Sequence, residues 1–151
     1  MNITMAEPGE ADALTEIAIA AKRHWGYPEQ WIQHWRPTLT ITPAFLAIHD
    51  AFVARTEERS IGFAAMAAAR ELLWLEHLWV WPPAMGRGVG RALFRQAQVR
   101  ARALGWCGFE IESDPHAGGF YERMGAKVVR MRRTSIHGEA RELPVYHCHV
   151  R

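Results

Sequence analysis

The chain has 151 residues, of which 49% are hydrophobic and 23% charged, a composition typical of folded soluble domains rather than disordered or fibrous proteins. A domain of this length buries roughly 68–70% of the surface that its unfolded chain exposes, so it can form a core without disulfides or metals. The formal net charge is +2, and only Lys22 and Lys127 among the 18 basic residues are lysines. Because arginine binds phosphate and carboxylate through a planar fork, this bias is compatible with an anionic ligand. We expect residues 1–151 to form a single domain.

Targeting and membrane signals are not apparent in the sequence. No stretch reaches the ~18 consecutive apolar residues of a membrane span, and the N-terminus MNITMAEPGEAD lacks the basic-then-apolar pattern of a secretion signal. We therefore expect a cytoplasmic protein without a membrane partner.

The N-terminal third is predicted to be mostly helical. A short strand is expected near residues 3–5, and Pro8 then marks the first turn of a helix whose apolar residues recur at helical spacing up to Ala21. Gly26 is the expected stop. Pro28 opens a second short helix, and Thr42 followed by proline supplies a cap for a third helical turn.

The remaining two thirds alternate between strands and helices. Runs of strand character separated by polar turns predict an antiparallel meander, and a stripe of apolar residues predicts a long helix after a glycine-rich turn. The expected strands are 51–55, 61–68, 72–81, 107–112, 127–134 and 145–150; the expected helices are 88–104, with the stripe Val89, Leu93, Ala97, Ala101 and Leu104, and 115–124. This order predicts an α+β fold with a mixed central sheet.

The most informative segment is the turn VWPPAMGRGVGRALF, where a strand ends and Gly86, Gly88 and Gly90 precede a helix. Glycines let a ligand approach the main chain, and the first turn of a helix offers unpaired N–H groups and a positive dipole end. This combination predicts a phosphate site. An ATP-binding P-loop is excluded because no lysine and hydroxyl residue follow Gly90, and the dinucleotide fingerprint lacks its third glycine and its parallel context. A turn that only connects strand and helix is the alternative.

Two motifs in order resemble the GNAT acetyltransferase superfamily. The first is P-x-x-x-G-R-G-V-G-R-A-L, beginning at Pro82, which looks like the acyl-CoA loop of that family. The second, running from Asp114 to Ala126, resembles the family pattern N-x-x-A-x-x-F-Y-x-x-x-G-[FA]. Met85 stands where the family usually has Arg or Gln, and Asp114 where it often has Asn. The resemblance implies a GNAT-like mixed sheet flanked by helices, with a splayed strand pair at the acyl-CoA site.

The resemblance also implies which residues bind acetyl-CoA, the donor substrate. Main-chain amides of the glycine loop would hold the pyrophosphate, and free main-chain groups of the strand before it would contact pantetheine and the acetyl oxygen, with the Val80 N–H as oxyanion donor. The expected donor-binding residues are Trp79, Val80, Met85, Gly86, Arg87, Gly88, Val89, Gly90, Arg91, Asp114, Ala117, Phe120 and Tyr121.

Two residues are candidates for proton transfer. Tyr121 matches the family's usual proton donor to the coenzyme sulfur, and a phenol with a pKa near 10 stays protonated at neutral pH. Strand alternation places Trp74, Glu76, Leu78 and Val80 on one face and Leu75, His77, Trp79 and Trp81 on the other. Glu76, a carboxylate in an apolar strand, is therefore the candidate base; His77 and a water are the alternatives, and a structural ion pair is the other reading of Glu76.

The acceptor site is expected in the segment KRHWGYPEQWIQHW, where Trp25 and Tyr27 are candidates for an amine pocket. Such aromatic residues also serve as ordinary packing residues. The sequence does not choose between a small-molecule and a peptide amine.

Other functional classes are less well supported. Strand alternation puts Cys148 on the face opposite His147 and His149, so no metal site is expected, and it splits the basic run at 130–133 between two faces, so nucleic acid is not an expected partner. The apolar C-terminal strand VYHCHV suggests a homodimer surface. The sequence thus predicts an N-acetyltransferase acting by direct attack of an amine in a ternary complex; a non-catalytic acyl-CoA-binding regulatory module is the alternative.

Overall fold

The structure is a computed structural model that describes residues 1–151. Seven strands form one sheet in the order β1-β2-β3-β4-β5-β7-β6. The strands are β1 (Asn2–Met5), β2 (Asp50–Arg55), β3 (Ser60–Ala69), β4 (Leu72–Val80), β5 (Gly108–Glu112), β6 (Lys127–Ile136) and β7 (Glu139–His149). The helices are α1 (Ala11–His24), α2 (Glu29–Leu39), α3 (Pro43–Ile48), α4 (Val89–Ala103) and α5 (Gly118–Arg123). Pairing is antiparallel except between β4 and β5, so the prediction of a mixed sheet in an α+β fold is confirmed.

The sheet separates two hydrophobic clusters. Alternation along β2 sends Phe52 to one face and Val53 to the other, as expected for a strand covered on both sides. One cluster packs under α4 and α5; the other packs under α1, α2 and α3. The long helix buries most of the predicted stripe, but Leu104 lies beyond its end and is 47% exposed, whereas Phe94 is fully buried.

Strand β7 begins six residues earlier than expected, at Glu139 rather than Val145, because β6 and β7 form a hairpin. Its tight turn uses positive φ at His137 and Gly138, a backbone shape typical of two-residue hairpin turns. β7 lies between β5 and β6 rather than at an edge, and Tyr146, Cys148 and Val150 fill the chain's own core. The expectation of a dimer surface on VYHCHV is therefore wrong. No helix has the length and apolar character that crossing a bilayer requires.

A β-bulge interrupts β4 at Glu76. Ala65 of β3 pairs with His77 and the adjacent Met66 pairs with Leu75, so Glu76 is an extra residue without a partner. The bulge changes the alternation that a regular strand would have: Leu75 packs with Leu78 and Val80 on the α4 side. The predicted division of faces is therefore wrong for Leu75, and also for Trp74, whose pairing with Glu110 puts it on the side away from α4.

Strands β4 and β5 separate soon after they meet. Trp74 opposite Glu110 is the only residue pair in register between them, and β5 continues its pairing on the other side with β7. Beyond Trp74 the two strands diverge, and the gap between them opens a cleft. The predicted splayed strand pair is thus present.

Candidate active site

The gap between β4 and β5 forms a cleft of about 940 Å³. Its walls are the C-terminal half of β4, the loop that leads into α4, one side of α4, the end of β5 and the segment from Asp114 to Met124. Trp25, at the C-terminal end of α1, closes one side. The cleft therefore collects residues from both ends of the sequence motifs described above.

The glycine loop presents a row of free donors. None of the main-chain N–H groups of residues 86–91 donates a hydrogen bond within the chain, because they precede the first intrahelical bonds of α4. Gly86 and Gly88 have φ of +78° and +83°, so the loop needs glycine at both positions. With the positive end of the α4 dipole beside it, this row is suited to bind an anion.

Val80 adds main-chain groups on the opposite wall. Trp81 donates its N–H to the Ile61 carbonyl at 2.8 Å, and the next pair along the ladder joins Gly62 to Val80. In an antiparallel ladder hydrogen-bonded and non-hydrogen-bonded pairs alternate, so the N–H and C=O of Val80 point away from β3. That direction is the side from which β5 has diverged.

Tyr121 lies on the first turns of α5, packed against Phe94 and Phe120 with ring centroids 6.1 and 5.2 Å away. It lines the cleft, and its hydroxyl makes no hydrogen bond within the chain. Burial raises the pKa of Tyr121 above its ordinary value, and the nearby Asp114 carboxylate adds to the rise. The phenol is therefore protonated at neutral pH and free to donate.

Glu76 also lines the cleft, and the bulge is what places it there. Partial burial raises its pKa; His49 opposes the rise, and the Glu112 carboxylate adds to it. Glu76 forms no ion pair, so the reading of it as a structural ion pair does not hold.

His77, the alternative base, faces away from the cleft. Its ring contacts Phe63 and Phe45, and its Nδ1 accepts a hydrogen bond from the indole N–H of Trp79 at 3.0 Å. Burial lowers the pKa of His77 to about 4. The imidazole is thus neutral near pH 7 and belongs to the packing under α1.

The two predicted acceptor residues separate in the structure. Trp25 lines the cleft and stacks on His116, with the ring centroids 5.1 Å apart and nearly parallel. Tyr27 lies outside the lining, and its hydroxyl contacts Asp114, His116 and the Arg141 guanidinium at 2.9–3.0 Å. Tyr27 therefore acts as a packing and hydrogen-bonding residue between α1, α2 and β7.

Asp114 is the centre of that network. Its carboxylate pairs with the Lys22 ammonium at 2.6 Å and accepts hydrogen bonds from Tyr27 and from the main chain of His116. Burial alone would raise the pKa of Asp114, but the Lys22 charge and these hydrogen bonds hold it below its usual range. Asp114 lines the cleft, yet its carboxylate is already occupied by protein donors.

Of the other predicted donor-binding residues, all but one line the cleft. Those that do are Trp79, Val80, Met85, Gly86, Gly88, Val89, Gly90, Arg91, Ala117 and Phe120. Arg87 instead faces a smaller cavity of about 380 Å³ on the other side of the loop, beside Arg59 and Trp81. Its main-chain N–H stays within the row of free donors, but its side chain does not reach the cleft.

Sequence reasoning missed Glu112, His116, Arg95 and Arg123, which all line the cleft. Helical spacing from Arg91 could have indicated Arg95, which lies one turn further along α4. The end of β5 could have indicated Glu112, because the parallel neighbour of β4 must border any gap between them. Nothing in the sequence indicates the stacking of His116 on Trp25.

Comparison with known proteins identifies the fold. A family model described as "Acetyltransferase (GNAT) domain" matches residues 47–125, which is more than half of the chain and contains both motifs. The chain belongs to the GNAT acetyltransferase family. It is a GNAT-type N-acetyltransferase, and the sequence-based prediction of that family and enzyme class is confirmed.

Individual GNAT relatives agree with this assignment. The chain is 27% identical over 129 residues, 84% of either protein, to the peptidyl-lysine N-acetyltransferase YiaC of Escherichia coli. The crystal structure of a GCN5-related N-acetyltransferase from Rhodopseudomonas palustris superposes with a TM-score of 0.80 at 20% identity, covering 99% of this chain and 95% of that one. PaiA N-acetyltransferase from Thermoplasma acidophilum, solved in complex with coenzyme A, gives 0.78 at 17% identity over 99% of both chains. At these identities the two structures support the fold of this GNAT chain.

Proposed function

We propose that residues 1–151 act as one domain that transfers an acetyl group from acetyl-CoA to a primary amine by direct attack in a ternary complex. The observation that carries the proposal is the row of free N–H groups at residues 86–91, which opens into the same cleft as Tyr121 and Glu76. A phosphate site, a proton donor and a carboxylate with a raised pKa in one cleft are what thioester aminolysis requires.

The donor binds with its pyrophosphate on the glycine loop and its pantetheine arm in the gap between β4 and β5. The arm is an amide chain, so it can use the main-chain N–H and C=O that Val80 directs into this gap. Phe120 and Val80 supply apolar walls near the loop, since both lie close to Gly90. PaiA, which shares the fold, was solved with coenzyme A, and this supports the assignment of the donor.

In the reaction the Glu76 carboxylate takes a proton from the acceptor ammonium, and the neutral amine nitrogen attacks the thioester carbon. The C–N bond forms and the carbonyl oxygen gains negative charge, which the Val80 N–H stabilises. When the C–S bond breaks, the Tyr121 hydroxyl gives its proton to the departing thiolate, and the amide nitrogen loses its second proton to solvent. Proton transfers of this kind contribute typically 10²–10⁴-fold each.

For the acceptor we propose that the amine enters beside Trp25 and Glu76. This side of the cleft combines an aromatic face with the Glu76 and Glu112 carboxylates, a setting suited to an alkylammonium. The relative YiaC is named for peptidyl-lysine, so a lysine side chain in a peptide is the first acceptor to test.

The test is thiol release from acetyl-CoA in the presence of a panel of lysine peptides and small primary amines. Calorimetric titration with acetyl-CoA is done first, because donor binding does not depend on knowing the acceptor. Saturable binding followed by amine-dependent thiol release supports the proposal. Binding without release by any amine would favour a non-catalytic acyl-CoA-binding module, and absence of binding would refute the donor site.

A further inference from the structure

Three arginines line the cleft beyond the glycine loop. Arg91 and Arg95 lie one turn apart on α4, and Arg123 lies at the end of α5 across from them. The two helices are fixed side by side, since Phe94 contacts Phe120 and a Cβ on Gly90 would lie only 3.3 Å from the Phe120 ring. The three guanidinium groups are therefore carried on a common rim.

These arginines differ from others in the chain because they have no acidic partner. Arg100, also on α4, pairs with Asp50 at 2.9 Å, and Arg130 pairs with Glu110 at 2.8 Å. Arg91, Arg95 and Arg123 have no carboxylate within 4.0 Å. Cationic side chains gathered without counterions repel one another, and an anion bound between them would relieve that repulsion.

The charges of the cleft are also separated along its length. Its acidic residues, Glu76, Glu112 and Asp114, come from β4 and from the end of β5, whereas the unpaired arginines come from α4 and α5. Glu112 is itself paired with Arg132 and Asp114 with Lys22, so these acids do not neutralise the arginine rim. The Nη1 of Arg123 also lies 3.3 Å from the position of a Cβ on Gly119, so this guanidinium folds back over another lining residue.

We propose that Arg95 and Arg123, beside Arg91, form a subsite for the phosphate monoester on the ribose of coenzyme A. The inference rests on the proposed function, in which the pyrophosphate occupies the free N–H groups of the loop. The monoester carries close to two negative charges and several terminal oxygens, and it is the part of the donor that most needs charged partners. The guanidinium fork binds such a group through two parallel hydrogen bonds. This subsite would make the protein discriminate coenzyme A from its dephospho form.

The experiment is calorimetric titration with coenzyme A and with dephospho-coenzyme A, which lacks only the monoester. The proteins are the wild type, Arg95→Ala, Arg123→Ala, the double variant and Arg102→Ala. Arg102 is the matched control, because it is an arginine of α4 that does not line the cleft and contacts the C-terminal main chain instead.

We expect the wild type to bind coenzyme A at least about 10-fold more tightly than the dephospho form, as charge-assisted hydrogen bonds of this kind allow. Each single variant should lose part of that preference, and the double variant should bind both compounds equally, with unchanged affinity for the dephospho form. Arg102→Ala should keep the full preference.

Three outcomes would count against the subsite. If the wild type binds both compounds equally, or if the double variant keeps the wild-type preference, the inference fails while the proposed function stands. If the double variant weakens both compounds by the same factor, the arginines act only as a general field. Failure of the wild type to bind either compound would instead overturn the proposed function and the subsite with it.

Discussion

Tyr121 is suited to proton donation by what surrounds it rather than by its position in a motif alone. Aromatic rings enclose its phenol, and no protein group accepts a hydrogen bond from its hydroxyl. Tyr146, whose ring centroid is 5.7 Å away, differs because its hydroxyl donates to Glu122 and does not reach the cleft. The two tyrosines therefore form a natural pair for comparison.

Tyr121→Phe should lower kcat by about 100-fold or more and change the Kd for acetyl-CoA by less than about 2-fold, because only the departing thiolate needs the proton. Tyr146→Phe removes the same atom from the same core and should keep kcat near that of the wild type. Steady-state thiol release and calorimetry measure the two quantities. Equal losses in turnover and donor affinity for Tyr121→Phe would assign the hydroxyl to binding instead.

Glu76 should control the acidic limb of the pH profile. Its raised pKa means that the carboxylate base is lost at a higher pH than for an ordinary glutamate, so kcat/KM should fall as the pH drops through that raised value. Glu76→Gln should remove this limb and slow the reaction by about 100-fold. Glu112→Gln should move the limb to lower pH, because the Glu112 charge contributes to the rise. An unchanged limb in Glu76→Gln would leave water as the base.

Residue roles could be predicted from sequence only where they follow from a motif. Tyr121 and the glycine loop were located in this way, and both line the cleft. Tyr27 was placed wrongly because its partners, Asp114 and Arg141, lie 87 and 114 residues away along the chain, and no local pattern carries such contacts.

At the scale of elements, α4 is bounded by glycines in similar backbone conformations. Gly88 precedes the helix with φ +83°, and Gly105 follows it with φ +86°. A Cβ at either glycine would have no atom within 4 Å, so an alanine there is disfavoured only by the backbone conformation. Only Gly88 borders the cleft.

Gly88→Ala and Gly105→Ala should each lower the free energy of unfolding by about 1 kcal/mol, since both force alanine into the left-handed region. Only Gly88→Ala should weaken acetyl-CoA binding, by about 10-fold, because it turns the N–H groups that hold the pyrophosphate. Urea unfolding and calorimetry on both variants test this. Equal donor affinity in the two variants would mean that the loop conformation does not matter for binding.

Element order and type follow from sequence periodicity because each strand or helix buries a face of its own. The glycine boundaries of α4 and the threonine cap of α3, where Thr42 accepts from the Phe45 N–H at 3.0 Å, are local features and were predicted. The bulge in β4 was not, because it is defined by pairing with β3 and the sequence LLWLEHLWV carries no glycine to mark it. Strand β7 was started too late because its first residues are polar and pair only in the exposed hairpin.

At the scale of the whole molecule, His77 connects the sheet to the helical layer and makes stability depend on pH. Its folded pKa of about 4 lies below the ordinary value of 6.5, so the unfolded chain binds more protons in between. Stability should therefore fall as the pH drops from about 6.5 to about 4. The low pKa of Asp114 matters only at still lower pH, below its ordinary value of 3.8, where its stabilising contribution is lost.

Between pH 7 and pH 4.5 the wild type should lose up to about 3 kcal/mol of unfolding free energy through His77. His77→Gln keeps a side chain that can accept the Trp79 hydrogen bond but does not bind a proton, and it should show a correspondingly flatter dependence. His149→Gln, at an exposed histidine, is the control and should follow the wild type. Denaturant unfolding at the two pH values gives the comparison. A His77→Gln profile as steep as that of the wild type would contradict the assignment.

The bulge at Glu76 gives substitutions and deletions at this position different consequences. The extra residue carries the carboxylate, and it also bends and twists β4 just before the strand lines the gap left by β5. A substitution removes the carboxylate and keeps the bend, whereas loss of the codon joins Leu75 to His77 in an uninterrupted ladder and straightens the strand. In evolutionary terms, a lineage that replaces Glu76 should retain a domain that binds the donor, while a lineage with a gap at this position should lose the binding cleft together with catalysis.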